Sequence, residues 1–181
     1  MKVINFYGAP GTGKSTLACE LFVYMKKKGY KVEIASEYAK DCVYEEKYLT
    51  LQDQVYLIGK MNHKLQMYKN ANLDFVICDS PLLLNMFYKR HHYKMNYLDD
   101  KIFDDFCIGL NNTYDRINIF LTTDKSIEYQ KEGRIQNQEE SNNYSKQIEQ
   151  LLIDNDERYA KVVNNTDLNI EQIFAIIQRE M

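Results

Sequence analysis

The segment 8–16 constrains this chain more than any other, because it fits the pattern G-x-x-x-x-G-K-[ST] between an apolar run and a helical pattern. Its residues are Gly8, Ala9, Pro10, Gly11, Thr12, Gly13, Lys14, Ser15 and Thr16. The run 3–7 has the length and composition of a buried strand, and apolar residues recur at helical spacing after the loop. Such a loop aims successive backbone N–H groups at a phosphate. The sequence therefore predicts a nucleoside triphosphate site formed by all nine residues.

Two side chains of this loop and one carboxylate further along have predicted roles in that site. Lys14 is expected to reach the β- and γ-phosphates of ATP, and the Ser15 hydroxyl to bind Mg²⁺. Asp79 ends the apolar run 75–78, a position from which a carboxylate holds Mg²⁺ directly or through water. The alternative is that Asp79 caps a helix with Pro81 at its first position. ATP and Mg²⁺ are the predicted cofactors.

Apolar runs alternate with helical patterns along the whole chain. Strands are predicted at 3–7, 31–35, 74–78, 116–121 and 159–163, and helices after the loop, at 50–70, 81–89, 99–113 and 138–155, and after a cap at Thr166 or Asp167. This alternation predicts an α/β fold with three layers, in which helices cover both faces of a five-stranded, mostly parallel sheet. No linker-like composition interrupts residues 1–181, so one domain is expected.

Substrates of such folds bind at the carboxyl ends of the strands, and Glu37 follows the second predicted strand. A carboxylate there suits a hydroxyl acceptor, whose proton it can take, and would repel an acceptor phosphate. Glu37 is therefore predicted to orient a hydroxyl acceptor. A solvated charge or a helix cap is the alternative, and Glu45 and Glu46 are weaker candidates for the same role.

A polar segment at about 124–140 carries Gly133 and Arg134 and lies between the fourth strand and the next helix. It is predicted to be a mobile lid whose Arg134 neutralises the charge that develops during phosphoryl transfer, while closure excludes water. Arg90 is the rival arginine. It belongs to the basic cluster 89–94, which suits either an anionic ligand or a solvated helix end.

Charge and cysteine content limit the range of partners. The net charge of −3 disfavours nucleic acid without excluding it, and favours a small acceptor. The four cysteines lack metal-ligand spacing and are expected to be reduced and mostly buried thiols. With no leader-like segment and no long apolar stretch, a cytoplasmic protein without membrane contact is expected. The residues 164–166, after the fifth strand, are placed either for an adenine or for a turn.

The phosphate loop, the run Glu37-Tyr38-Ala39, the run Asp79-Ser80-Pro81 and the pair Gly133-Arg134 give the chain a family resemblance. It resembles small P-loop kinases like the ribosylnicotinamide kinase domain of bacterial NAD regulators, and phage-encoded AAA-type ATPase-like proteins. The resemblance implies ATP-dependent transfer to a nucleoside-like or nucleotide acceptor. Lys40 stands where that family often has arginine, and a lysine cannot make the same bidentate contact.

Four functions are consistent with these residues. The leading hypothesis is a kinase in which Lys14, Glu37, Asp79 and Arg134 transfer the γ-phosphate of ATP to a nucleoside-type hydroxyl, such as that of nicotinamide riboside. In a nucleoside monophosphate kinase, Arg90 and lysines such as Lys40 would bind the acceptor phosphate. The other two are an ATPase or nucleotide-dependent switch, and a kinase that acts on a modified base in DNA.

Overall fold

The computed structural model describes residues 1–92, 98–124, 138–165 and 168–181, and its centre is a five-stranded sheet. The strands are β1 (Lys2–Tyr7), β2 (Val32–Ala35), β3 (Phe75–Cys78), β4 (Asp115–Thr123) and β5 (Tyr159–Asn164). The helices of the described residues are α1 (Lys14–Lys27), α2 (Tyr38–Tyr44), α3 (Tyr48–Gln52), α4 (Gln54–Asn70), α5 (Leu84–His92), α6 (Asp100–Asn111), α7 (Gln138–Asp154) and α8 (Ile170–Arg179). The strand order is β2-β3-β1-β4-β5, and every neighbouring pair is parallel. The predicted α/β fold with a five-stranded parallel sheet is therefore confirmed.

Each face of the sheet is buried beneath its own layer of helices, which explains why the strands read as continuous apolar runs. On one face, Val3, Val76 and Phe120 belong to a cluster with apolar side chains of α4, α5, α6 and α7. On the other, Ile4 and Ile119 belong to a cluster with side chains of α1 and α8. Successive strand residues point to opposite faces, so both must be apolar.

β1 lies between β3 and β4, and this position locates the ligand site. The chain leaves β1 towards one edge of the sheet, through β2 and β3, and later continues on the other side through β4 and β5. A crevice opens where the strand order changes direction in this way, outside the carboxyl end of the central strand. The phosphate-loop segment follows β1 directly and occupies that place.

Several predicted helix ends differ from those observed. The predicted helix 50–70 is two helices, because Asp53 interrupts it and its carboxylate accepts a 2.9 Å hydrogen bond from the backbone N–H of Tyr56. The predicted helix 81–89 begins only at Leu84, whose N–H bonds to the carbonyl of Pro81 across a turn. Helix α2 was not predicted at all.

The final helix has a different cap from the two predicted ones, which lie outside the described residues. Asn169 caps α8 by accepting from the N–H of Gln172, whose side chain in turn accepts from the N–H of Asn169. This reciprocal pair satisfies two backbone donors that the helix leaves unpaired. The cap prediction of Thr166 or Asp167 was therefore wrong by two to three residues.

Two further observations concern the cysteines and the lengths of the helices. All four cysteines are free thiols, of which Cys42, Cys78 and Cys107 are buried and Cys19 is exposed. Within the described ranges, no helix has both the length and the apolar content needed to span a membrane.

Candidate active site

The loop between β1 and α1 requires glycine at two positions for steric reasons. Gly8 has φ of 143°, and a Cβ added there would lie 2.5 Å from the carbonyl oxygen of Leu121. Gly13 has φ of 84°, and its Cβ would lie 2.2 Å from Nδ2 of Asn164. Residues with a side chain rarely adopt these φ values, and the neighbouring atoms leave no space for a Cβ atom. The sequence pattern thus specifies the backbone path of the loop.

Hydrogen bonds hold this loop in shape from inside and from β5. The Thr12 hydroxyl donates to the carbonyl of Ala9 at 2.9 Å, and Asn164 Nδ2 donates to the carbonyl of Thr12 at 3.0 Å. Lys14 lies back across the loop, where its Nζ donates to the carbonyls of Gly8 and Ala9 at 2.8 and 2.9 Å. The first turn of α1 has no acidic residue. The ammonium group and the positive end of the helix dipole therefore meet at one place, as an anion site requires.

One buried carboxylate connects the loop with the end of β2. Asp79, which is 7% exposed, accepts a 2.8 Å hydrogen bond from Ser15 Oγ through one oxygen. Its other oxygen accepts a 3.1 Å bond from the backbone N–H of Glu37. Asp79 precedes α5 by five residues, so it does not cap that helix. Asp79, Ser15 and Glu37 are thereby brought together by three separate segments.

The hydroxyl of Ser15 and the carboxylate of Asp79 are oxygen donors of the kind that Mg²⁺ prefers. Over the described ranges, no group of three or more His, Cys, Asp or Glu residues is arranged to hold a metal by itself. Mg²⁺ commonly binds proteins through one or two such groups and completes its shell with water and substrate phosphates. The pair therefore fits a metal that arrives with a nucleotide.

Glu37 stands at the junction of β2 and α2, and its side chain makes no hydrogen bond that caps α2. Burial raises the pKa of its carboxyl group, and the nearby Asp79 carboxylate raises it further, while the Lys14 ammonium opposes both effects. A carboxylate in this environment is a stronger proton acceptor than one in water. Neither Glu45 nor Glu46 lines the cavity beside Glu37, and Glu45 pairs with Lys47 at 2.7 Å.

A cavity of about 840 Å³ extends from the phosphate loop past Glu37 to the space between α2, α3 and α4. Its walls include two tyrosines, Tyr38 and Tyr56, whose ring centroids are 6.1 Å apart in an edge-to-face arrangement. Lys60 of α4 places Nζ 3.7 Å from the centroid of the Tyr38 ring. This volume is in the range of small-molecule sites.

The basic cluster at the end of α5 is tied to α6 in the part that the structure describes. Arg90 pairs with Asp104, and Lys89, which is 2% exposed, pairs with Asp100 at 2.6 Å. Neither Lys89 nor Arg90 lines the cavity. The use of Arg90 for an acceptor phosphate stays a prediction, since Arg90 lies outside this cavity and its guanidinium pairs with a carboxylate on another helix.

For the other predicted site residues, the structure either does not describe the position or does not test the predicted role. Arg134 and the segment 125–137, most of the predicted lid, lie outside the described residues, as do residues 93–97 of the basic region. The Asn164 side chain bonds to the loop, so an adenine contact at this position stays a prediction. Tyr38, Lys60 and Lys64 line the cavity but were not predicted from the sequence, although the four-residue spacing of the two lysines on a helix was a signal.

A family model described as an AAA domain matches residues 3–169 of the chain. Among solved structures, a deoxyadenosine kinase from M. mycoides with bound products is 22% identical, with a TM-score of 0.58, over 98% of this chain and 97% of that one. The same enzyme with bound dATP is 22% identical with a TM-score of 0.54, over 98% of each chain. Thymidylate kinase from Ehrlichia chaffeensis is 18% identical with a TM-score of 0.58, over 99% of this chain and 98% of that one. No curated protein is significantly similar in sequence. At these identities the structural likeness shows the fold.

Proposed function

The chain belongs to the AAA domain family, and from this premise we propose that it is a kinase, which transfers the γ-phosphoryl group of ATP to a nucleoside-like hydroxyl. The observation that carries the proposal is the arrangement around Asp79. Its two oxygens contact Ser15 on the nucleotide side and the backbone of Glu37 on the cavity side. A second carboxylate is thus held beside the phosphate loop, at the inner end of a cavity large enough for an acceptor.

On the donor side, we propose that the loop N–H groups and the start of α1 bind the phosphates of ATP. Lys14 would exchange its two loop carbonyls for the β- and γ-phosphate oxygens, since an ammonium prefers an anion to a neutral carbonyl. Ser15 and Asp79 would hold Mg²⁺, which offsets the charge of the phosphates when it is bound. Arg134 is proposed to add positive charge during transfer, and residues 1–181 to act as one domain.

On the acceptor side, we propose that Glu37 orients the hydroxyl and takes its proton. The acceptor oxygen then forms a bond to the γ-phosphorus, the bond from that phosphorus to the β–γ bridging oxygen breaks, and ADP leaves with the electron pair. The raised pKa of Glu37 supports this role, because a carboxyl group with a higher pKa accepts a proton more readily.

A nucleoside monophosphate kinase is the second candidate, and the lysines of the cavity wall favour it. The named solved structures with this fold include both a deoxyadenosine kinase and a thymidylate kinase, so the fold accommodates either reaction. An ATPase or switch is the third candidate. It would leave the cavity beside Glu37 without a use.

The test is transfer of labelled γ-phosphate from ATP·Mg²⁺ to a panel of nucleosides, nicotinamide riboside and nucleoside monophosphates, with an acceptor-free control. Labelled product that depends on one acceptor, and that is lost in Lys14→Ala, is the expected result. Hydrolysis at the same rate with and without every acceptor would overturn the proposal in favour of an ATPase or switch.

A further inference from the structure

The cavity is positively charged although the chain as a whole is acidic. Four lysines and two carboxylates line it, namely Lys14, Lys40, Lys60, Lys64, Glu37 and Asp41. The net charge of the whole chain is −3. Of the lysines, only Lys14 belongs to the phosphate loop, so the remaining three are not explained by binding ATP. They place positive charge where the acceptor of the proposed kinase would lie.

Lys60 and Lys64 project from the same face of α4, because they are four residues apart on one helix. Like charges at this spacing repel each other and weaken a helix. Within the described part of the chain, neither forms an ion pair with a carboxylate, whereas Lys47, Lys101 and Lys161 each do. Helix α4 thus carries two like charges that repel each other, and no carboxylate of the described residues forms an ion pair with either of them.

The contacts of these two lysines hold them at the cavity wall. Lys60 Nζ lies 3.7 Å from the centroid of the Tyr38 ring and 5.6 Å from that of Tyr56. Lys64 Nζ donates to Ser36 Oγ at 3.2 Å, one residue before Glu37. Each ammonium has three N–H donors, so neither a ring face nor one hydroxyl satisfies it. Lys60 also occupies the aromatic face on which a cationic ligand would bind.

We propose that the acceptor of this kinase carries a phosphate group of its own, which Lys40, Lys60 and Lys64 bind. The inference rests on the proposed function for the identity of the cavity as an acceptor site. It specifies a nucleoside monophosphate rather than a neutral nucleoside, and it excludes the cationic nicotinamide riboside.

Phosphoryl transfer to this acceptor can take place at either of two oxygens. An acceptor oxygen bonds to the γ-phosphorus as the bridging oxygen departs with ADP. If that oxygen belongs to a free hydroxyl of the nucleotide, its proton passes to Glu37 and a bisphosphate forms. If it belongs to the ionised phosphate, there is no proton to remove and a nucleoside diphosphate forms. Chromatography of the labelled product distinguishes these two compounds, and both contain the phosphate that the lysines bind.

The test measures binding separately from catalysis, by calorimetry on the full chain with the donor site filled by a non-hydrolysable ATP analogue and Mg²⁺. The probes are deoxynucleosides, their 5′-monophosphates and nicotinamide riboside. At least one monophosphate should bind about tenfold or more tightly than its own nucleoside, since hydrogen bonds to a charged group are that strong. The double variant Lys60→Gln/Lys64→Gln should remove this preference, and Lys60→Arg/Lys64→Arg should keep most of it.

Lys69→Gln is the matched control, because Lys69 is an exposed lysine of the same helix outside the cavity. It should leave the preference unchanged, and thermal melting should show that every variant is folded. A preference that survives the double glutamine variant, or monophosphates that bind no better than nucleosides throughout the panel, would overturn the inference. Failure of phosphoryl transfer would leave this binding result intact, so the two proposals fail separately.

Discussion

The proposed donor side and the proposed acceptor side of the cavity are built in different ways. The donor side is nearly continuous in sequence, since the loop 8–16 supplies its own glycines, hydroxyls and lysine, and most of its hydrogen bonds stay inside it. The acceptor side combines Glu37 and Tyr38 with Lys60 and Lys64, which come from two segments and are held by few bonds. The proposed nucleotide site is therefore encoded locally in the sequence, whereas the proposed acceptor site depends on how distant segments pack.

This difference determines how freely the residues of each side can be exchanged. The backbone path of the donor loop is determined by steric requirements at Gly8 and Gly13, which leave little freedom for variation. The acceptor wall consists of side chains on α2 and α4, and these can be exchanged without altering the sheet. Four predictions test this contrast.

The largest effect is expected from Lys14→Ala, which removes the only charged side chain of the donor loop. Phosphoryl transfer should fall by about 10³-fold or more, because the ammonium acts on charge that increases in the transition state. Steady-state kinetics with labelled ATP would measure the loss. Lys27→Ala, at an exposed lysine at the end of the same helix, is the control and should be near wild type. Retention of activity in Lys14→Ala would place the donor site elsewhere.

A smaller but specific effect is expected on the acceptor side from Glu37→Gln. The kcat should fall by about 10²-fold, since general base catalysis contributes on this order, while the KM for ATP should change little. The acidic limb of the pH profile should also disappear, because glutamine does not titrate. A change in the KM of the acceptor alone would show that Glu37 binds the acceptor without taking a proton.

The same variant should be more stable than the wild type at neutral pH. Because burial raises the pKa of Glu37 in the folded chain, the folded state binds this proton more tightly than the unfolded state. Protonated Glu37 thus contributes stability below its unfolded pKa, about 4.3, and this is lost as pH rises through the higher folded pKa. Melting curves of Glu37→Gln should exceed wild type at pH 7 and approach it at pH 4. Glu20→Gln, at an exposed carboxylate of α1, is the control and should not be more stable than the wild type at pH 7, because its carboxylate lies in water.

The smallest effects should come from two glycines that share a backbone conformation. Gly29 follows α1 with φ of 88° and has no atom within 4 Å of an added Cβ, so Gly29→Ala should cost only about 1–2 kcal/mol of stability. Gly13→Ala adds a clash with Asn164 and should also lower activity, by about tenfold or more, since the loop must move. Equal activity of the two variants would show that the loop tolerates displacement.

Much of the fold was predictable because its signals are local. The five strands were predicted from runs of mainly apolar residues. Gly29 ends α1, where the backbone N–H groups of Gly29 and Tyr30 donate to the carbonyls of Lys26 and Met25. In contrast, α2 has only Cys42 buried and therefore shows no apolar stripe. The cap of α8 was predictable in principle, because Asn169 and Gln172 have the spacing of a capping box.

The candidate site was predictable only where one motif or one strand end specifies it. Ser15 and Asp79 were chosen independently, from a loop pattern and a strand end, and the structure joins them by a hydrogen bond. The lysines of α4 were not recognised, because their relation to the cavity depends on the rotation of that helix against α2. The sequence spacing predicts that Lys60 and Lys64 lie on the same face of α4, but it does not predict that this face lines the cavity.

The two hydrogen bonds of Asp79 have a consequence for how ligands influence each other. A nucleotide that alters the orientation of this carboxylate also alters the backbone at Glu37, and an acceptor that moves Glu37 acts on Asp79 in return. Thermodynamic linkage requires that each ligand change the affinity of the other by the same factor. The donor and acceptor should therefore bind with measurable cooperativity, and replacement of the Asp79 carboxylate by an amide should uncouple them.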